Sequence, residues 1–318
     1  MGLPDPIVFV GGSERSGTTL VRNILTAHPT LAMPSESPFV FRIHRQLVRQ
    51  GRIHDLDLAW SVIRVDSRFR QWRLPRAEVE RLLEEQPPGC YDDLVRTLFA
   101  AYARWRGKDH SGDKTTGNAL WFEWLAPRFP GSRFVHVLRD PRAVCMSRAV
   151  QIFNSGGIPG AARHWRTHVA AARRASATLG ERLLEIRYER LLSEPRTELE
   201  RLCAFLGIPF DTAMLDYGDS AEVLPQHGQD VHAREPLQRD LRPWREELSR
   251  DDVSVIETIV GELMDEVGYP RELARLTPRA AATISGAWMT RRRERWLVDS
   301  APKLGALLHR AARPLQRR

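Results

Sequence analysis

Apolar residues follow two rhythms along this chain. The short unbroken run Ile7-Val8-Phe9-Val10 reads as a buried strand, and Arg133-Phe134-Val135-His136-Val137-Leu138 and Leu183 to Tyr188 read as a second and a third strand. Each is followed by helical spacing: Leu20, Ile24 and Leu25 after the first, a helix from about Arg142 after the second, and Glu198 to Leu206, closed by Gly207 and Pro209, after the third. Strand followed by helix, repeated, is the pattern of βαβ units. The expected fold is α/β, a three-layer sandwich with a central parallel sheet.

Between the first two strands, residues 39–106 are amphipathic, with helices expected at Phe39 to Gln50, Arg76 to Gln86 and Tyr91 to Arg106. A helical insertion of this size is expected to form the acceptor-side wall of a site. A further helix rich in Ala and Arg is expected over Pro159 to Leu179, and Ser220 to Pro243, without periodicity, reads as a long loop able to fold over a site. No internal repeat divides the chain. One domain over 1–270 and a basic helical tail over 271–318 is the simplest parse.

Composition narrows the class. The 318 residues are 42% apolar and 8% aromatic, which excludes a disordered chain. Cys90, Cys145 and Cys203 stand far apart with no C-x-x-C spacing, so a reducing compartment, the cytoplasm, is expected. No basic leader, cleavage site, myristoylation signal or run of apolar residues long enough to span a bilayer is read in the sequence. Of the net charge of +8, the tail carries +9 and residues 1–270 carry −1. This argues against a nucleic-acid partner for the body and for contact of the tail with an anionic surface. Trp288 and Trp296 flank Arg291-Arg292-Arg293-Glu294-Arg295 there, a pattern suited to a peripheral seat among lipid headgroups, with a helix docked on the domain or a frayed end as the plain alternatives.

The chemistry starts at Gly12-Ser13-Glu14-Arg15-Ser16-Gly17-Thr18-Thr19. It fits the frame G-x-x-x-x-G-K-[ST] except that Thr18 stands where the lysine belongs. Leaving a strand and entering a helix, its backbone N–H groups can cradle an anion, and Arg15 is the one cation in the loop. A nucleoside triphosphate needs the missing lysine and magnesium against its β and γ charges. A phosphate joined to a singly charged sulfonate does not.

Arg15-Ser16-Gly17-Thr18-Thr19 after a strand, followed by Leu138-Arg139-Asp140-Pro141-Arg142 and then Ser147, resembles the sulfotransferases that use 3′-phosphoadenosine 5′-phosphosulfate (PAPS). Ala27-His28-Pro29 and Glu36 bring the pattern nearest to the protein-tyrosine sulfotransferases and their bacterial relatives. The resemblance runs from about Ile7 to Trp244. It implies that Arg15, Ser16, Gly17, Thr18 and Thr19 hold the 5′-phosphosulfate and that Arg139 and Ser147 hold the 3′-phosphate. A guanidinium at a strand's carboxyl end beside a hydroxyl makes a forked phosphate site in its own right.

By the same resemblance Glu36, in the rigid turn Pro34-Ser35-Glu36-Ser37-Pro38, is the general base, with Lys114 and Arg15 neutralising the departing group. Without it, Glu36 reads as a solvated loop residue and Lys114 as the partner of Asp113. Tyr188 matches a residue that meets the nucleotide, and Arg239 and Arg242 fall where relatives cover the donor. Pro38 and Gln151 stand where tyrosine-modifying relatives carry arginines. The expected acceptor bears a hydroxyl on a small molecule, glycan or lipid, the product is adenosine 3′,5′-bisphosphate, and no metal is expected. His28 and His136 read as structural. His164 and His168, an i, i+4 pair, lack the companions of a metal site. The competing readings are a P-loop kinase and a non-catalytic nucleotide-binding scaffold recruited to membranes.

Overall fold

The computed structural model describes residues 7–149, 156–220, 244–272, 277–283 and 285. Arg239, Arg242, Gln151, the residue 221–243 stretch and both tail tryptophans lie outside these residues.

A five-stranded, all-parallel sheet in the order β2-β3-β1-β4-β5 forms the centre. Its strands are β1 (Val8–Gly12), β2 (Leu31–Ala32), β3 (His110–Lys114), β4 (Arg133–Leu138) and β5 (Leu183–Arg187). β1 lies in the middle, Val8 opposite both Gly112 and Arg133. The two-residue pleat sorts the core into layers. Val8, Val10, Val135 and Val137 point to one face and pack on α1 (Thr18–Ala27) and α11 (Pro195–Leu206).

Phe9 and Phe134, stacked at 5.6 Å, point to the other face, which α6 (Tyr91–Trp105), α7 (Phe122–Arg128) and α9 (Gly157–Leu179) cover. Both faces are therefore helix-covered, which explains why the central strand β1 begins as a continuous apolar run.

The insertion contains α2 (Pro38–Arg49), α3 (Leu56–Ile63), α4 (Ser67–Arg70), α5 (Arg76–Glu85) and α6. It is not a separate body: Phe39, Ile43, Phe69, Trp72 and Val79 join the same cluster as Phe9 and Phe134. Beyond β4 run α8 (Pro141–Ala149), α9 and, after β5, α10 (Tyr188–Ser193), α11, α12 (Tyr217–Ser220), α13 (Trp244–Glu247), α14 (Arg250–Val260) and α15 (Glu262–Glu266). Residues past 270 return to this body: the Thr277 hydroxyl donates to Asp251 Oδ1 at 2.6 Å and Ala280 is fully buried.

The strands and helices expected within the described residues form, with ends shifted by a few residues, and most of the expected helical tail over 271–318 lies outside them. Tyr188 opens α10 instead of closing β5. Two strands have no counterpart in the apolar rhythm. β2 is two residues long, and β3, His-Ser-Gly-Asp-Lys, is polar because its last residues serve the site and not the core.

Candidate functional site

A parallel sheet brings the carboxyl ends of its strands to one edge, and the crevice there is where such folds bind ligands. The loop after β1, the turn after β2, Lys114 ending β3, Arg139 after β4 and Tyr188 after β5 all meet at that edge. Residues far apart in sequence thus become neighbours through strand order alone.

The loop from Ser13 to Gly17 is tightly wound. Ser16 Oγ donates to Ser13 O at 2.7 Å, and Gly17 enters α1 with φ 98°. A β-carbon on Gly17 would lie 2.4 Å from the Tyr188 ring, so only glycine satisfies both the backbone and the neighbour. Arg15 takes φ 70° without being glycine. Such a conformation costs roughly 1–3 kcal/mol and persists where the surroundings enforce it. α1 has neither an acidic residue in its first turn nor a side-chain cap, so its amino end offers N–H groups to an anion.

Arg15 Nε donates to Ser147 Oγ at 3.0 Å, and Arg139 Nη1 donates to Arg15 O at 3.2 Å. The Arg139 guanidinium lies 4.2 Å from the centre of the Tyr188 ring. The first loop, the arginine after β4, the serine of α8 and Tyr188 are therefore one cluster. It is anchored from behind by Arg142, whose Nη2 meets Asp140 Oδ2 at 2.7 Å and whose Nη1 meets Glu257 Oε1 at 3.0 Å, with Trp244 4.0 Å beneath.

On the β3 side of β1, Lys114 Nζ donates to Glu36 Oε1 at 2.8 Å, and the Thr116 hydroxyl donates to the same oxygen at 3.0 Å. Lys114 also reaches Thr19 Oγ1 at 3.4 Å, which joins this pair to α1. Burial works to raise the Glu36 pKa, but the Lys114 charge, the two hydrogen bonds and the Arg68 charge outweigh it and hold the carboxyl below its ordinary 4.5. Glu36 is thus a carboxylate at neutral pH, fit to accept a proton. Lys114 pairs with it and not with Asp113, since Asp113 turns inward to Thr115 and Asn118.

The turn that carries Glu36 is tied on both sides. Arg22 of α1 donates to Pro34 O at 3.1 Å and Met33 O at 3.2 Å. Ser37 N donates to Thr115 Oγ1 at 2.8 Å, Thr115 donates to Asp113 Oδ1 at 2.9 Å, and Asn118 Nδ2 donates to Asp113 Oδ2 at 2.8 Å. Burial pushes the Asp113 carboxyl upward against these bonds. Gly11 lets this assembly approach β1, because a β-carbon there would lie 2.4 Å from Ala119 N.

Every described residue expected at the site lies at this edge. Sequence reasoning missed Thr116, Arg22, Thr115 and Asn118, whose roles depend on strand neighbours. The Thr115-Thr116 pair after Lys114 was the only local signal. His28 and His136 are structural as read, the first 2.8 Å from Pro209 O, the second 3.1 Å from Glu185 Oε2.

A glycine-tight loop leaving the central strand, with Arg139 and Ser147 beside it and a carboxylate–lysine pair at the end of the neighbouring strand, is an arrangement suited to group transfer in an α/β protein. The chain belongs to the sulfotransferase family, whose model matches residues 6–212. It is 26% identical over 228 residues to protein-tyrosine sulfotransferase A of Caenorhabditis elegans, covering 67% of this chain and 52% of that one. It is 25% identical over 304 residues to the nodulation protein NoeE of Sinorhizobium fredii, covering 85% and 68%. The chain therefore spans about half the length of the nematode relative. In fold it is similar to the sulfotransferase domain of the Synechococcus PCC 7002 olefin synthase, at a TM-score of 0.58 and 22% identity, over 85% of this chain and 97% of that domain.

Proposed function

We propose that this protein transfers a sulfuryl group from PAPS to a hydroxyl acceptor, with Glu36 as general base, releasing adenosine 3′,5′-bisphosphate. The single observation that carries this reading is the 2.8 Å Glu36–Lys114 pair at the end of β3, on one side of β1, with the Arg15–Ser147–Arg139 cluster on the β4 side of the same strand. In this reading the carboxylate serves as proton acceptor and the cationic cluster as the seat of the anionic donor.

The donor chemistry fits the residues present. Its two anionic ends call for several cationic and hydroxyl groups, and here these are the glycine-tight loop with Arg15 before α1, Ser147, which Arg15 meets, and Arg139, which meets the Arg15 carbonyl. Tyr188, stacked with Arg139, offers a flat face to the nucleoside. PAPS contributes an activated sulfuryl group whose leaving phosphate gains negative charge as the bond breaks.

The protein's own residues do the rest. Glu36 accepts the proton of the attacking hydroxyl. Lys114, released from the carboxylate as that proton arrives, neutralises charge on the departing side together with Arg15 and the loop N–H groups. Thr116 keeps Glu36 aimed, and the ties through Arg22 and Thr115 keep its turn rigid.

The test is transfer of labelled sulfate from PAPS onto fractions of a cell extract. Wild type is expected to label at least one fraction, and Glu36→Gln and Arg139→Ala to lose it. Bisphosphate binding without labelling of any fraction would favour a nucleotide-binding scaffold instead.

A further inference from the structure

Residues 1–270 are nearly neutral only as a sum. Residues 38–76 hold nine Arg and no Lys against three Asp, a net of +6, so the remainder of 1–270 is left at −7. The first part of the insertion is one of two strongly basic stretches of the body, the other being residues 141–180 with six Arg and no Asp or Glu. Arg45, Arg49, Arg64, Arg70 and Arg73 are exposed and Arg68 is half-buried; among the described residues none of the six makes an ion pair or a side-chain hydrogen bond. Elsewhere on the molecule surface arginines are commonly matched, as Arg81 is by Glu78 and Glu85 and Arg196 by Glu200.

These arginines lie together. On α2, Arg42, Arg45 and Arg49 fall on one stripe by their helical spacing, opposite the buried Phe39, Ile43 and Leu47. Arg42 crosses to Asp66, which sets residues 64–70 beside the first turn of that stripe. Two of the three exposed large apolar side chains among the described residues sit within it: Val48 at 50% and Val65 at 61%. The patch also borders the site. Phe69 packs edge-on against Phe39 at 5.6 Å, three residues past Glu36, and the Arg68 charge is felt by the Glu36 carboxyl.

We infer that this face of α2 and residues 64–70 docks on an anionic lipid surface. Guanidinium groups without protein partners suit lipid phosphates and carboxylates, and two protruding valines set among them suit the acyl boundary. A soluble polyanion would use the arginines and gain nothing from the valines. The surface does not depend on the proposed reaction. Only its consequence rests on that reading: with Glu36 at the rim of the docked face, the hydroxyl it serves belongs to a lipid-borne acceptor.

The experiment is co-sedimentation of the full chain with phosphatidylcholine vesicles, with and without phosphatidylserine, in the absence of nucleotide. Arg45→Glu/Arg49→Glu is compared with a control of equal charge change on α9, Arg173→Glu/Arg174→Glu, so that the basic tail is common to both. Circular dichroism checks that each variant is folded. Binding is expected only with phosphatidylserine, weakened about 10-fold or more by the α2 pair and less than about 2-fold by the α9 pair, each arginine near the surface contributing to partition. Val48→Ser/Val65→Ser, at unchanged charge, is expected to weaken it several-fold. Equal loss in the two arginine pairs, equal binding to both vesicles, no binding to either, or valine variants that bind as wild type would each overturn the inference. Because no turnover is measured, a failed transfer assay leaves this result standing, and the reverse.

Discussion

At the scale of single residues the site depends on charge held close but not spent. Glu36 is kept ionised mainly by Lys114, with Thr116 assisting. Glu36→Gln keeps the shape and removes the proposed proton acceptor, so kcat is expected to fall by about 10²–10⁴-fold while bisphosphate binding, measured by calorimetry, is unchanged. The pH dependence follows from the same pairing. A carboxyl whose folded pKa is depressed contributes stability and activity above its ordinary value, both of which are lost as pH falls through the folded value. The acid limb due to Glu36 is therefore expected below 4.5, and Lys114→Met should move it upward in a rate–pH profile, because desolvation would then act without its main opponent. Glu36 itself was legible only through resemblance. Nothing in Pro-Ser-Glu-Ser-Pro says that a lysine 78 residues away will reach it.

Among elements, the decisive fact is how α8 and α14 are joined behind the Arg139–Tyr188 cluster. Arg142 is 3% exposed and satisfies Asp140 and the 2% exposed Glu257 at once. Removing one partner of a buried ion pair strands the others, which costs about 3–5 kcal/mol. Arg142→Met is expected to lower the urea midpoint of unfolding accordingly. The double variant Arg142→Met/Glu257→Met should recover part of the loss, since it no longer leaves Glu257 bare. In the sequence Arg142 is one more basic residue after Asp-Pro, and only the packing of α14 on α8 gives it this role. The strand–loop–helix units around it were readable, because apolar runs and glycine punctuation are local properties. β3 was not readable, because a strand whose outer residues bond Glu36, Thr115 and Asn118 carries no apolar signature.

For the whole molecule, ligand binding and stability are linked through the crevice. The loop after β1 and the arginine after β4 are held by the same central strands, so a ligand bridging them should stabilise the entire sheet. At a concentration 100-fold above its dissociation constant, adenosine 3′,5′-bisphosphate is expected to add about 2.7 kcal/mol and raise Tm in a thermal melt. Arg139→Ala should abolish most of that rise at the same concentration, and a wild type that melts identically with and without the bisphosphate would remove the basis for the donor site. The insertion shares its core with the sheet, through Phe39, Trp72 and Phe9, and is therefore expected to melt with it in one transition.

By itself the sequence determined the βαβ rhythm, the strand-to-helix loop with Thr18 at the lysine position and Arg15 as its one cation, and the family those motifs resemble. All of these are short-range, since a few consecutive residues set each local conformation and its polarity. Only the tertiary structure decided that Lys114 faces Glu36 and not Asp113, that Arg15 meets Ser147, and that the arginines of α2 and residues 64–70 form one face. Those outcomes depend on strand order and on which helices cover which side of the sheet, and such contacts arise from the packing of the entire chain.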